Sequence, residues 1–359
     1  MNTMLNKLPG RLGDPQLELK NDPRADPRML GLMDSLGLLE TAPAPVNSST
    51  SYSDLLSFLS LAEQGYDAQS DAIVASWPAT KGVDREEKTI IGLDGNQILL
   101  IIHRPKKKPK DSLPGLLHIH GGGMCLNSAT GPIYESWRSD LAFSGSVVVG
   151  VEFRNSAGKL GPHPFPAGLN DCVSALYWMD EFRKELDLSG IVITGESGGG
   201  NLSLASCLKA KRDNRLASVA GVYAQCPSIS NSYVNKDESL PSLIENDGYG
   251  GVGCELMSGL FKMYDPLGAN NSNPLAWPLH AKESDLRGLP PHFISVCELD
   301  LLRDEGIAYA RMLQASGVNA GSRTINGVVH AGDISFREAM PDVYFASIRD
   351  IKGFADFVC

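Results

Sequence analysis

Gly195-Glu196-Ser197-Gly198-Gly199 constrains this chain more than any other stretch. It follows a β-branched run, Ile191-Val192-Ile193-Thr194, and precedes Gly200-Asn201-Leu202-Ser203-Leu204-Ala205. The first reads as a strand and the second as the start of a helix. A serine between a strand and a helix, with glycines two away on each side, makes a sharp and strained turn. Gly195 and Gly199 supply the small neighbours that such a turn needs. Ser197 Oγ would then stand exposed at the sheet edge and at a helix N-terminus. Free N–H groups and the helix dipole favour developing negative charge there. Alone, the pattern also fits a glycine-rich turn with an incidental serine.

A second motif argues against that plainer reading. His118-Ile119-His120-Gly121-Gly122-Gly123-Met124 follows the apolar run Leu113 to Leu117, and the serine turn lies about 75 residues downstream. That span suits one strand–helix–strand unit with loops. Without Cβ atoms, the backbone at Gly122 and Gly123 can approach a substrate carbonyl closely. Their N–H groups, with that of Gly198, are the expected donors to the oxyanion of a tetrahedral intermediate.

An acid and a base should then follow in that order. Phe293 to Leu299 reads as a strand that ends at Asp300. Open α/β sheets keep their sites at such C-terminal tips. Asp300 is favoured over Glu298, which lies within the strand, and over Asp304, which lies in the first turn of the next helix. His330 follows the extended run Ser322 to Val329 and precedes the loop Ala331-Gly332-Asp333. His120 belongs to the glycine loop and is read as positioning backbone. His163, His292, His103 and His118 are read as packing or hydrogen-bonding residues. His280 precedes Asp300 and breaks the order.

The two motifs, the segment Val151 to Asn155 followed by His163-Pro164-Phe165-Pro166, Leu299 to Gly306, and Val328 to Asp333 together resemble the hormone-sensitive lipase family of serine esterases. The resemblance covers essentially the whole chain. It implies an α/β-hydrolase fold, with Ser197 as nucleophile, Asp300 as acid and His330 as base. It also implies Gly122, Gly123 and Gly198 as the oxyanion hole. There are departures. The usual Asp-Pro-Leu after the acid is Asp300-Leu301-Leu302. The usual Tyr-Arg-Leu-Ala-Pro-Glu is Phe153 to Gly158. The common Gly-Asp-Ser-Ala-Gly elbow carries Glu196 and Gly198 instead. None of these removes a catalytic group, but the second could reshape the pocket.

Along the chain, strands are expected near 87–93, 97–104, 114–120, 146–153, 190–196, 219–225, 293–299 and 322–328. Helices are expected near 166–186, 200–212, 302–316 and 340–356. This alternation predicts a mostly parallel eight-stranded sheet with helices on both faces. The catalytic core is expected over 86–227 and 291–359. Residues 1–85 and 228–290 stand outside the alternation, and the resemblance implies that they build a helical cap. In the first, Asp26 and Pro27 open a helix that ends at Gly37, Ala42 to Pro45 is a linker, and a second helix includes Leu55, Leu56, Leu59 and Ala62.

With 359 residues, 42% of them hydrophobic, the chain can fill one large core. A net charge of −10 argues against nucleic acid and against an anionic membrane surface. The run Lys106-Lys107-Lys108-Pro109-Lys110 is read as a solvated loop. Met1 to Gly13 lacks the apolar centre of a signal peptide, and no stretch approaches the ~20 apolar residues of a membrane span. Seven scattered cysteines without a CxxC suit a reducing cytoplasm. Cys125, beside the glycine loop, is read as a small buried side chain rather than a modifiable thiol. No cluster has metal-ligand spacing, and Gly248 to Gly253 lacks the lysine of a phosphate loop, so neither metal nor cofactor is expected.

The expected function is hydrolysis of small-molecule carboxylic esters with short or medium acyl groups by a cytoplasmic enzyme with no membrane partner, and the resemblance implies that a lactone could fit as well. A homo-oligomer stays open. So do an amidase or acyltransferase using the same triad, and a non-catalytic small-molecule receptor on the same fold.

Overall fold

Eight strands form one sheet in the order β1-β2-β4-β3-β5-β6-β7-β8. They are β1 (Val83–Ile91), β2 (Gln97–Pro105), β3 (Leu113–Ile119), β4 (Val147–Glu152), β5 (Leu188–Glu196), β6 (Gly221–Gln225), β7 (His292–Cys297) and β8 (Ala320–Ile325). The computed structural model describes residues 8–39, 43–107 and 110–359. Residues 1–7 of the stretch read for a targeting signal, Ala42 of the linker, and Lys108 and Pro109 of the lysine run lie outside the described residues.

β2 runs antiparallel to both β1 and β4, and the other pairs are parallel. The sequence explains the difference. β3, β5 and β6 are nearly all buried, as strands covered on both faces must be. β1 carries Asp84, Arg85, Glu86, Glu87 and Lys88 and is mostly exposed, which suits an edge strand. The same charges hide its beginning from a reading of apolar pattern, so β1 starts four residues earlier than the expected 87.

The longer helices are α1 (Pro27–Ser35), α2 (Tyr52–Val74), α3 (Pro132–Phe143), α4 (Ala167–Glu181), α5 (Gly198–Arg212), α6 (Cys254–Tyr264), α7 (Arg303–Ala315) and α8 (Pro341–Val358). α1 begins as expected: the Asp26 side chain accepts the Arg28 N–H, and Pro27 is the first helical residue. Ser51 caps α2 by accepting the Asp54 N–H at 3.1 Å. α3 was not among the expected helices. It buries Arg138 and Asp140 beside Trp137 and Leu141, so its inner face lacks a clean apolar stripe. α6 was hidden in the same way by the Ser, Asn, Gly and Pro around it. Among the described residues, no helix is long and apolar enough to cross a membrane.

Two pieces outside the sheet meet each other. Lys262 Nζ of α6 donates to the carbonyls of Ser48 and Thr50 at 3.0 and 2.7 Å. Ser258 Oγ accepts the Ser48 N–H at 3.0 Å. Leu55 and Leu59 of α2 are buried in the main core cluster with Met257 and Leu260 of α6. α2 and α6 are thus seated together over one end of the sheet.

Candidate active site

The parallel register sets the site. Ile119 at the end of β3 pairs with Gly195 at the end of β5, and Glu196 pairs with Gln225 at the end of β6. The glycine loop after β3 and the serine turn after β5 are therefore neighbours. Ser197 has φ 57° and ψ −118°, a conformation that costs about 1–3 kcal/mol for a residue with a Cβ. It is held there from the β6 side. The Ser197 N–H donates to Gln225 O at 3.0 Å, and the Ser228 N–H donates to Ser197 O at 3.1 Å. Close approach explains Gly199: a Cβ there would lie 1.9 Å from Ile119 O. A Cβ on Gly198 would lie 2.8 Å from Gly123 N, so the two glycines expected to share an oxyanion are in near contact. Neither the Gly122 nor the Gly123 N–H donates to a protein acceptor among the described residues.

The acid and base come together from β7 and β8. His330 Nδ1 lies 2.7 Å from Asp300 Oδ2. Asp300 is buried, and its Oδ1 accepts the Leu302 N–H at 2.9 Å. Burial alone would lower the His330 pKa, but the Asp300 carboxylate, with the Cys226 sulfur beside the ring, outweighs it and raises that pKa well above its ordinary value. The rival acids are engaged elsewhere. Glu298 Oε2 accepts the Gly327 N–H at 2.7 Å. Asp304 accepts the Ser242 N–H at 2.7 Å and pairs with Arg303. Other histidines have local partners. His103 meets Glu135, His280 meets Asn231 and His292 meets Pro290 O. His120 Nδ1 is 2.8 Å from Gly121 O and its ring stacks on Phe153.

Ser197, His330 and Gly121 to Gly123 line one cavity of about 410 Å³. Its outer walls are mostly apolar. Met33 and Leu38 come from α1 and the turn after it, Ile73 from α2, and Val252, Met257 and Leu260 from the segment around α6.

A profile described as the α/β-hydrolase fold matches residues 116–333. The chain belongs to the α/β-hydrolase family. It is 32% identical to the carboxylesterase NlhH of Mycobacterium tuberculosis over 75% of this chain and 82% of that protein. It is 32% identical to an arylesterase of Saccharolobus solfataricus, over 67% and 74%. Among solved structures, brefeldin A esterase, described as a bacterial homologue of human hormone-sensitive lipase, superposes with a TM-score of 0.94 at 43% identity over 98% of each chain. Esterase Est22 superposes at 0.84 with 35% identity, over 95% and 99%. The protein is a carboxylesterase-type α/β-hydrolase of the hormone-sensitive-lipase-like kind.

Two departures from the common hydrolase pattern now have structural roles. Glu196 reaches from the serine turn to the glycine loop: Oε1 accepts the Gly121 N–H at 2.8 Å and Oε2 meets His118 Nε2 at 3.1 Å. The segment Asn155 to Ala157 holds the same loop from outside. Ser156 Oγ donates to Met124 O at 2.9 Å, and Asn155 Nδ2 donates to Asn127 O at 2.7 Å. Glu196→Ala should leave a buried N–H and a buried imidazole without their partner. We expect it to cost about 1–3 kcal/mol in urea unfolding. An unchanged midpoint would show that the carboxylate is dispensable to the loop.

Sequence spacing alone missed Cys226, at the tip of β6. Its Sγ, a His330 ring nitrogen and an Asp300 oxygen lie within 4.8 Å of one another. Burial pushes its thiol pKa up, so it faces the pair as a neutral group. Only its place one residue beyond a central strand could have signalled it. Cys125 is buried, 3.1 Å from Ser156 Oγ, and burial pushes its thiol up to about 12.

Proposed function

We propose that this hydrolase cleaves carboxylic esters through an acyl-enzyme on Ser197, with His330 as base, Asp300 as acid, and Gly122, Gly123 and Gly198 as the oxyanion hole. The observation that carries the reading is the 2.7 Å contact between His330 and Asp300, with His330 and Ser197 opening on one cavity. His330 would take the Ser197 proton as Oγ attacks the ester carbonyl. Asp300 would fix the imidazole with its proton on Nδ1 and stabilise the cation that forms. The oxyanion would rest on the N–H groups of Gly122 and Gly123 in the loop after β3 and of Gly198 at the start of α5. The alcohol would leave with the proton from His330, and water would repeat the attack on the acyl-enzyme.

The names carboxylesterase and arylesterase among the relatives support ester substrates. The largely apolar walls support small to medium acyl groups, and the likeness to brefeldin A esterase supports a lactone as a further substrate. In this reading the N-terminal residues to 85 and residues 228–290 form the cap, and 86–227 with 291–359 form the core.

Rapid-mix hydrolysis of p-nitrophenyl esters from acetate to laurate tests it. We expect a burst of p-nitrophenol equal to the enzyme, and mass spectrometry of quenched enzyme should place the acyl group on the Ser197 peptide. Faster turnover of matching anilides would turn the reading toward an amidase. Acylation at another residue would overturn it.

A further inference from the structure

Glu63 is fully buried, on the α2 turn that meets the core. Its Oε1 accepts the Asn127 N–H at 2.8 Å, and its Oε2 accepts the Lys159 N–H at 2.6 Å. Among the described residues, no guanidinium or ammonium group hydrogen-bonds to it. Burying such a carboxylate is costly, and two charge-assisted bonds to backbone N–H groups offset that cost. A helix that only needed covering would be served better by an apolar side chain at this position. The carboxylate therefore points to a specific task.

Its two partners say which. Asn127 directly follows the closed turn in which the Cys125 and Leu126 N–H groups both donate to Gly122 O at 3.0 Å. Asn127 sits in the left-handed region, with φ 75°. It is held there by three bonds: Glu63 on its N–H, Asn155 on its carbonyl, and Tyr134 Oη, which accepts from its Nδ2 at 3.1 Å. Of these, only Glu63 comes from outside the α/β core. Lys159 lies in the loop after β4, next to Gly158, which has φ 64°. A Cβ on Gly158 would lie 2.6 Å from Glu63 Oε2, so the glycine makes room for the carboxylate. The following turns of α2 put Tyr66, Ser70 and Ile73 on the cavity wall. One side chain thus joins the helix that walls the cavity to the loop that carries Gly122 and Gly123.

We propose that Glu63 is a positioning residue for ester hydrolysis: it pins α2 to the glycine loop, so that the oxyanion donors reach their working geometry only with that helix docked. This rests on the reading of Gly122 and Gly123 as those donors. The helix is then a working part of the site, and substrate contacts on its inner face act on the donors as well as on binding.

The experiment compares wild type, Glu63→Gln, Gly158→Ala and Asp71→Asn. Each is assayed for kcat and KM on p-nitrophenyl butyrate, and for inhibition by an alkyl trifluoromethyl ketone, whose adduct with Ser197 carries an oxyanion. Near-UV circular dichroism reports the fold. Glutamine can accept one N–H but turns its own NH₂ on the other. We expect Glu63→Gln to lower kcat about 10-fold or more, to leave KM within about threefold, and to raise Ki by a factor like that in kcat. Gly158→Ala should push the carboxylate aside and move both numbers the same way. Asp71, exposed on the same helix, should change neither. A folded Glu63→Gln with wild-type kcat and Ki overturns the proposal, and so does a lower kcat with an unchanged Ki. If Glu63→Gln does not fold, Gly158→Ala decides on the same terms. A ketone that fails on wild type overturns the oxyanion-hole reading itself, and this proposal with it.

Discussion

Ser197→Ala is expected to lower kcat on p-nitrophenyl esters by about 10⁵–10⁶, with KM little changed. The size follows from the role. Without Oγ there is no acyl-enzyme, and only binding and the oxyanion donors act on water. The fold should survive, since the Ser197 side chain caps no backbone group of α5. The turn itself yields a second result. Ser197 is held at φ 57°, where any Cβ is strained. Ser197→Gly should be as inactive as the alanine variant, yet more stable by about 1 kcal/mol. Relief of about 1–3 kcal/mol of strain is offset by about 0.4–1 kcal/mol of added freedom in the unfolded chain. Urea unfolding of the three proteins measures it. Retention of more than a small fraction of the activity in Ser197→Ala would remove the nucleophile from the account. A glycine variant less stable than wild type would show that the turn is not strained in solution.

Why the sheet could be read from sequence, and α3 could not, is a matter of burial. β3, β5 and β6 are covered on both faces, so their residues are apolar in unbroken runs. Such runs, separated by helical spacing, spell alternation without any knowledge of contacts. α3 faces the same core but buries Arg138, whose guanidinium donates to Ala129 O at 2.6 Å. A buried arginine looks like a surface residue in a string of letters. β1 poses the opposite problem, since its charges are on an edge that solvent reaches.

The site divides along a similar line. Ser197, the glycine loop, Asp300 and His330 were legible because each lies in the turn or loop that follows a strand, and such places can be found from local pattern. Glu196, Glu63 and Cys226 meet partners far along the chain. Glu63 meets Asn127 and Lys159, and nothing in the neighbourhood of Glu63 in sequence announces either. On α2 it looks like one more carboxylate on the polar side of an amphipathic helix. Its meaning comes from the docking of α2, which the tertiary fold decides. Local chemistry can be read from motifs, but the supports that aim it depend on long-range closure.

Asp300→Asn separates the chosen acid from its rivals. We expect kcat to fall by about 10⁴, by analogy with the template triad. The structure gives the reason for so large an effect from one isosteric change. Asp300 Oδ1 accepts the Leu302 N–H at 2.9 Å, and Oδ2 faces His330 Nδ1 at 2.7 Å. An asparagine keeps the first bond by placing its oxygen there, which turns its NH₂ on Nδ1. Nδ1 must then be the bare nitrogen and Nε2 must carry the proton, so the imidazole cannot take one from Ser197. The pH profile should shift as well. The base works only when neutral, and Asp300 raises the His330 pKa well above 6.5. In wild type, kcat/KM should therefore rise with pH through an acid limb above about 6.5. Without the carboxylate charge the largest contribution opposing burial is gone, and the limb should move to lower pH in Asp300→Asn. Glu298→Gln and Asp304→Asn should keep the wild-type limb, because those carboxylates serve the Gly327 and Ser242 N–H groups. Near-wild-type activity in Asp300→Asn, with an unmoved limb, would transfer the acid role to Glu298 or Asp304. A loss of rate with the limb unmoved would mean that Asp300 orients His330 without setting its charge.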